Sequence, residues 1–512
     1  MKLRFYEGLA GVGLALVAAC GGAAASKDSG SAGAGGAGLA LDVPEPAMAG
    51  AAGSKKAAPA EAGSAGDGGS GGETGAAGAA TPREDLKPVL LYVASSDSGK
   101  ALYSWDMSDA EPVNVSGSLK SGYAVDEFAV SPDGMRVAFI NRRLKEDAGE
   151  VYVADADGAL PKRLSGAAVP HIWPSHVSWS KGGRYVMYDT DDFGNPQSSI
   201  VQHVFEVETG RPVAIHGLIS PDEKRVVVFE QGAITVQATD GSNRIELTQS
   251  KDEPTLSWSA DGQMLSMWAK GGRQSVLSAD GKSVWRFNDC DEPPVWAPQG
   301  QWLAFSRDGQ FFIQAPRADE LAINPPDTKV VDWHWAPDGA QVAVSAGDLN
   351  VYPIETGQPI RVNGPLPSGT TGVRPGVGLF SWSSDGQYIA YNTVGFTRDE
   401  FLIAHPDGFQ NSVVSHNVTG TVSSIEWSPG SAYVAYREAD GDRFWYVASM
   451  LGENTFVSDG ANGAWSDDGQ FFAVEAGDES PSIRVLRLSD KEIIGPDGPA
   501  DAQNLTFGWA HK

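Results

Sequence analysis

Cysteine is nearly absent. The 512 residues hold two, Cys20 and Cys290, so this is not a disulfide-built scaffold. There are eight His and no H-E-x-x-H or C-x-x-C spacing, which removes the commonest zinc-enzyme and dithiol signatures. Basic charge is scarce: 38 Lys and Arg stand against 65 Asp and Glu, for a net charge of -27. That excludes the basic footprint of a nucleic-acid binder and of a protein lying on anionic lipid. The best apolar run, Leu9 to Ala19, is too short to span a bilayer. Helical periodicity of any length is missing as well.

What is present is a repeated phrase. Ala129 to Phe139 reads A-V-S-P-D-G-M-R-V-A-F, and it returns behind Trp179, Trp258, Trp296, Trp335, Trp382, Trp427 and Trp465, with a degraded copy at Ile219. Pro presets φ, Asp bonds its own backbone and Gly accepts a positive φ, so Ser-Pro-Asp-Gly is a tight turn. The runs that follow, such as Val137-Ala138-Phe139, are apolar on both faces, as strands between two sheets must be. The phrase recurs every ~38 to 49 residues, the length of a four-stranded propeller blade. Later Asp-Gly turns (Asp157-Gly158, Asp240-Gly241, Asp280-Gly281, Asp407-Gly408) fit between a third and a fourth strand.

The ends of the repeat region complement each other. Val89 to Tyr92 and Leu102 to Trp105 read as second and third strands, and Leu505 to Trp509 as a first strand. Pairing them makes one composite unit beside nine whole ones and removes the open edges. The expectation is an all-β propeller of about ten four-stranded blades over 85-512, closed by its terminal strands. The alternative is two propellers, one inserted in the other, crossing at Asn363 to Gly378.

Val130 to Ser165, with its S-P-D-G phrase followed by Val151-Tyr152-Val153-Ala154-Asp155-Ala156-Asp157-Gly158, resembles the TolB-like (WD-like) propeller repeat. The resemblance covers roughly residues 88 to 512 and implies a protein-docking role in the cell envelope. The chain departs from TolB in lacking a counterpart of the preceding α/β domain and in exceeding six units. Such propellers also precede a hydrolase domain in prolyl-oligopeptidase-type peptidases; the sequence stops at Lys512, and that reading is set aside.

The N-terminus carries an address. Lys2 and Arg4 precede the apolar run, and Val17-Ala18-Ala19-Cys20 resembles a bacterial lipobox. The resemblance implies a signal peptide over 1-19, lipidation of Cys20 and, with Gly21 next, an outer-membrane lipoprotein facing the periplasm or the surface. Residues 20-84 are Gly, Ala and Ser with scattered charge and are expected to be a disordered tether. Its r.m.s. span is about 45 Å.

Candidate sites are few. Asp189, Asp191 and Asp192 in Asp189-Thr190-Asp191-Asp192-Phe193-Gly194-Asn195 are the best metal candidates, since alternating carboxylates suit Ca²⁺. The simpler reading is a solvated hairpin tip between second and third strands, with Asp440-Gly441-Asp442 in the same place elsewhere. Trp173, beside His171 in a fourth-to-first-strand connection, is the binding-surface candidate. His176 nearby lacks a third partner for zinc. The repeat-opening Trp residues are expected between blades, Trp445 in the core, and Trp333 and Trp335 on one face of an innermost strand with His334 on the other. No catalytic residue and no cofactor other than possible Ca²⁺ is expected. A protein-binding scaffold leads. A glycan or peptidoglycan binder, or a glycoside hydrolase or lyase with carboxylates paired across the channel, stands as the alternative.

Overall fold

The computed structural model describes residues 86–512, less short connecting segments of which the longest are 193–200, 364–375 and 497–506. Residues 1–85 lie outside the described residues, and with them the signal, Cys20 and tether expectations. So do Asp440, Gly441 and Asp442.

Forty strands form ten four-stranded antiparallel sheets, with no helix among the described residues. Blade 1 is composite. Its innermost strand is Phe507–His511, which pairs with Pro88–Ser96 so that Leu90 faces Trp509. Gly99–Trp105 and Val113–Asn114 follow outward. Lys87 and Lys512 exchange backbone hydrogen bonds at 3.2 and 3.0 Å, extending that closure by one residue on each chain. The other blades follow in order: blade 2 spans 123–163, blade 3 172–213, blade 4 218–249, blade 5 255–287, blade 6 295–322, blade 7 332–361, blade 8 376–418, blade 9 422–459 and blade 10 463–494.

The turn phrase does its work through side chains. Ser131 Oγ donates to Asp133 at 2.6 Å and accepts from the Arg136 N–H at 2.9 Å, while Asp133 accepts from the Met135 N–H at 3.1 Å. The Ser–Asp bond recurs at Ser220–Asp222, Ser259–Asp261, Ser383–Asp385 and Ser466–Asp468. Gly134 sits at φ 70, in the left-handed region. Two turns lack that glycine, and Glu223 and Ser431 take φ 56 in its place. Both side chains then reach the preceding blade: Glu223 accepts from the Gly182 N–H at 2.8 Å and Ser431 Oγ from the Asp385 N–H at 3.1 Å.

The seams between blades are joined by indoles. Each repeat-opening Trp donates its Nε1–H to a carbonyl on the innermost strand of the blade before it. The pairs are Trp179 to Ala129, Trp258 to Leu218, Trp296 to Ser257, Trp335 to Val295, Trp382 to His334, Trp427 to Ser381, Trp465 to Glu426 and Trp509 to Ala464, at 2.9 to 3.4 Å. The acceptor is always the residue just before the equivalent position of the neighbour. Two seams have no such bond. Blades 1 and 2 meet through a core of Val89, Leu91, Val137 and Phe139. Blades 3 and 4 meet through two small clusters that share Val213 and Ile219. Every seam therefore joins blades that are consecutive in the chain, and the circuit is one ring. The alternative of one propeller inserted in another is overturned; most of its proposed crossing point, Asn363 to Gly378, lies in 364–375, outside the described residues.

Exposed aliphatic residues on the outermost strands are seats for neighbouring turns. A Cβ on Gly158 would lie 2.4 Å from Val113 Cγ1, and one on Gly357 would lie 3.0 Å from Leu321. Only glycine lets those third-to-fourth-strand turns sit down on the blade before them.

Candidate functional site

In an up-and-down blade, the Ser-Pro-Asp-Gly turns share one face of the ring with the third-to-fourth-strand turns. The blade-to-blade connections emerge on the other face, where the innermost strands begin. Chemistry-bearing side chains gather at two places, one on that connection face and one on the inner wall of the ring.

The first is the corner between blades 2 and 3. Their innermost strands, Tyr123–Val130 and Ile172–Trp179, are eight residues each. Both carry a bulge, between Val125 and Glu127 and between Ser175 and Ser178. A bulge re-aims the side chains beside it, and here it turns Asp126 and His176 outward. The His176 N–H donates to Glu127 Oε2 at 3.0 Å. The His176 ring lies 3.4 Å from Asp189 Oδ2 and 3.1 Å from Ser175 Oγ. Burial pushes the carboxyls of Glu127 and Asp189 above the usual carboxylate range, and the contacts with His176 pull back against it.

Trp173 is not in a connection, as its sequence context suggested. It lies on the innermost strand opposite Asp191. Its ring is half-buried, with the Arg142 guanidinium 3.3 Å from the ring centroid. Arg142 is in turn 3.5 Å from Asp126. The indole is thus roofed by a cation rather than offered bare. His171 is exposed in the turn leading to the strand, at φ 68. His176 is on the strand itself and not in a connection. Asp189, Asp191 and Asp192 do not form a hairpin tip. They belong to the second strand, Tyr185–Asp192, with Asp191 and Asp192 opposite Trp173 and Ile172. The tip falls in 193–200, outside the described residues. Asp189 and Asp191 point to one face of that strand and Asp192 to the other. Among the described residues, no group of three or more His, Cys, Asp or Glu is placed to hold a metal ion.

The second place is the inner wall of blades 6 and 7. Trp333 and Trp335 share one face of the strand Asp332–Trp335, as alternation requires, and Trp333 packs on Phe311 at 4.6 Å between centroids. His334 is exposed on the other face, 3.1 Å from Asp332 Oδ2 and edge-on to Phe380. Farther round the ring, Glu426 stands half-buried on the innermost strand of blade 9. Burial lifts its pKa to about 7, against the pull of Arg437. Trp445 is in the core, as expected, and Cys290 is buried against Phe305 and Phe312. Asp126, Glu127, Arg142 and Glu426 had no legible signal in the sequence: Glu127 and Arg142 meet His176 and Trp173 of the next blade, while Asp126 and Glu426 meet Arg142 and Arg437 on the second strands of their own blades.

The sequence model of one protein family, described as the lipoprotein LpqB beta-propeller domain, matches residues 86–267. That stretch begins at the second strand of blade 1 and ends within blade 5. The chain is a ten-bladed β-propeller. No curated protein matches it. Among solved structures it is similar to a eukaryotic initiation factor, at 12% identity over 82% of this chain and 98% of that one, with a TM-score of 0.50. A second likeness is to Porphyromonas gingivalis dipeptidyl peptidase 4, at 13% identity over 73% of this chain and 59% of that one, with a TM-score of 0.44. The first bears on the propeller fold alone, and the second is too loose to bear on anything further.

Proposed function

We propose that this protein is a lipid-anchored binding module of the cell envelope, a ten-bladed scaffold that docks protein partners on its connection face. One observation carries the choice of binding over catalysis. The half-buried acid at the blade 2–3 corner, Glu127, is engaged by a backbone N–H of the next blade, so it holds a strand in place instead of facing a reacting group. The side chains left at the surface there, Asp126, His171 and His176, are recognition groups on a rigid frame. Anchoring is supported by Val17-Ala18-Ala19-Cys20 in the sequence and by the lipoprotein description of the matching family. Gly21 after the lipobox favours the outer membrane.

The test uses the full chain, crosslinked in envelopes of its source and then purified, with Trp173→Ala beside it and Cys20→Ser in parallel. The expected result is one or two proteins enriched with the wild type and lost with Trp173→Ala, and release of Cys20→Ser from the membrane fraction. Capture of sugar or peptidoglycan fragments without protein would replace the reading with glycan binding. Retention of Cys20→Ser in the membrane would remove the anchor.

A further inference from the structure

The innermost strand of blade 6 is cut short, and blade 7 is left partly uncovered beside it. Trp296 and Trp335 hold equivalent places in their blades. Counting back from them, Glu292, Pro293 and Pro294 in blade 6 correspond to Val331, Asp332 and Trp333 in blade 7. Two consecutive prolines have no N–H for a ladder, and blade 6 keeps only Val295–Trp296 as its innermost strand. Blade 7 keeps four residues, Asp332–Trp335. The start of that strand faces Pro293 and Pro294 of blade 6, a stretch that makes no ladder and is tied to its own second strand by the Asp291 N–H on the Ser306 carbonyl at 2.9 Å. Val331 is accordingly 70% exposed and Val295 42% exposed. The two blades are in register here, because Trp335 bonds the Val295 carbonyl at 3.4 Å.

The rim of this apolar step is acidic. Asp291 and Glu292 are exposed at the entry to blade 6, and Asp332 sits beside Val331 with its side chain 37% exposed. Residues 291–296 and 330–335 contain these three carboxylates and no Lys or Arg. We infer that the step at Val295 and Val331 is a docking groove for an extended polypeptide segment that alternates aliphatic with Lys or Arg side chains. The aliphatic side chains cover the valines left bare by the short strand. The cations meet Asp291, Glu292 and Asp332 at the rim. An anionic lipid surface is repelled by the same carboxylates, and a second copy of this chain, at a net charge of -27, is the wrong sign for it. This deepens the binding reading above, on which it rests, by giving the face a groove and the partner a chemistry.

The experiment measures fluorescence anisotropy of a labelled peptide alternating Lys and Val, added to the full chain. Peptides alternating Glu with Val and Lys with Ser serve as comparisons. Two variants remove one ingredient each: Val331→Ser takes away the apolar surface and Asp332→Asn the charge. Asp319→Asn, an exposed acid in the third-to-fourth-strand turn of blade 6 and so on the opposite face, makes the same change in net charge elsewhere. Val331 is mostly in water, so melting temperature checks that each variant is folded. The expected result is saturable binding of the Lys/Val peptide, weakened about tenfold by Val331→Ser and by Asp332→Asn and unchanged by Asp319→Asn. The Glu/Val peptide should not bind, and Lys/Ser should bind no better to the wild type than to Val331→Ser. The inference is overturned by no binding, by equal binding of Glu/Val, or by equal effects of all three substitutions. Binding of anionic vesicles that Val331→Ser abolishes would overturn it in favour of a membrane. If envelope capture yields a protein partner while these variants still capture it, the groove is wrong and the scaffold reading stands. If capture yields no protein, the scaffold reading itself fails.

Discussion

The seam between blades 8 and 9 and the seam between blades 3 and 4 have the same backbone plan and opposite contents. At the first, Trp427 fills the gap, packs with Tyr388 at 6.4 Å between centroids and bonds the Ser381 carbonyl at 3.1 Å. At the second, Ile219 stands where Trp would be. The apolar core there splits in two, and a cavity of about 10 Å³ remains, lined by Tyr185, Val204, Val213, Ile219, Val226 and Thr239. In place of an indole bond, Glu223 reaches across to the Gly182 N–H from the turn. One seam is closed at its middle by a large buried ring. The other is closed at its turn by a carboxylate, in water. Packing at the middle of a seam, not the presence of a link, should decide which seam holds.

Removing the ring should do the most damage. Trp427→Ala is expected to lower stability by about 3–5 kcal/mol, read as a fall in the urea midpoint. A change under about 1 kcal/mol would mean that the indole is not what joins blades 8 and 9. Trp258→Phe keeps most of the apolar bulk but leaves the Leu218 carbonyl without its partner, and should lose about 1–3 kcal/mol. If it melts like the wild type, the bond carries nothing.

Glu426 brings pH into the comparison, since its own carbonyl accepts the Trp465 bond of the next seam. Its folded pKa is raised to about 7 from an ordinary value near 4.5. Between those two values the unfolded chain has released a proton that the folded chain still holds. Stability contributed by the protonated carboxyl is therefore full below 4.5 and is lost as pH rises through 7. Glu426→Gln should flatten that slope and gain about 1–3 kcal/mol at pH 8 relative to the wild type, with little difference at pH 4. Parallel pH curves for the two proteins would refute it. The smallest effect should be a gain. Ile219→Phe adds about one water's worth of volume to a cavity of about that size, and should add up to about 1 kcal/mol. A loss of stability would show that the space is shaped for Ile.

Most of this architecture was legible. The Ser-Pro-Asp-Gly turn and its spacing announced the blade, and the half-patterns at 89–105 and 505–509 announced the closure, because each is a local matter of turn chemistry and alternation. Trp173 and Asp189 to Asp192 were misplaced for the opposite reason. The innermost strand of blade 3 and its partner run farther than the repeat's average, and nothing local to Ile172 or Asp192 signals how long a strand remains paired. The roof that Arg142 makes over Trp173 was invisible because the two residues belong to different blades. The choice between one ring and two was likewise open in the sequence, which records the order of blades but not which neighbours touch.

The direction of the indole bonds has a consequence for how the ring assembles. Every donor lies later in the chain than its acceptor, by 39 to 50 residues. Each blade thus emerges with its anchor point already waiting on the blade made before it, and docking can proceed one blade at a time from the first synthesised end. The last contact is different in kind. Lys512 meets Asp106 across 406 residues, and closing a loop of that length costs about 2 kcal/mol more chain entropy than closing one of blade length. Growth by short steps and completion by one long step is the kinetics of a zipper with a clasp. A variant with residues 512 and 87 joined and new ends opened between two other blades should move the slow final phase to that seam, with blade 1 now forming in the fast steps.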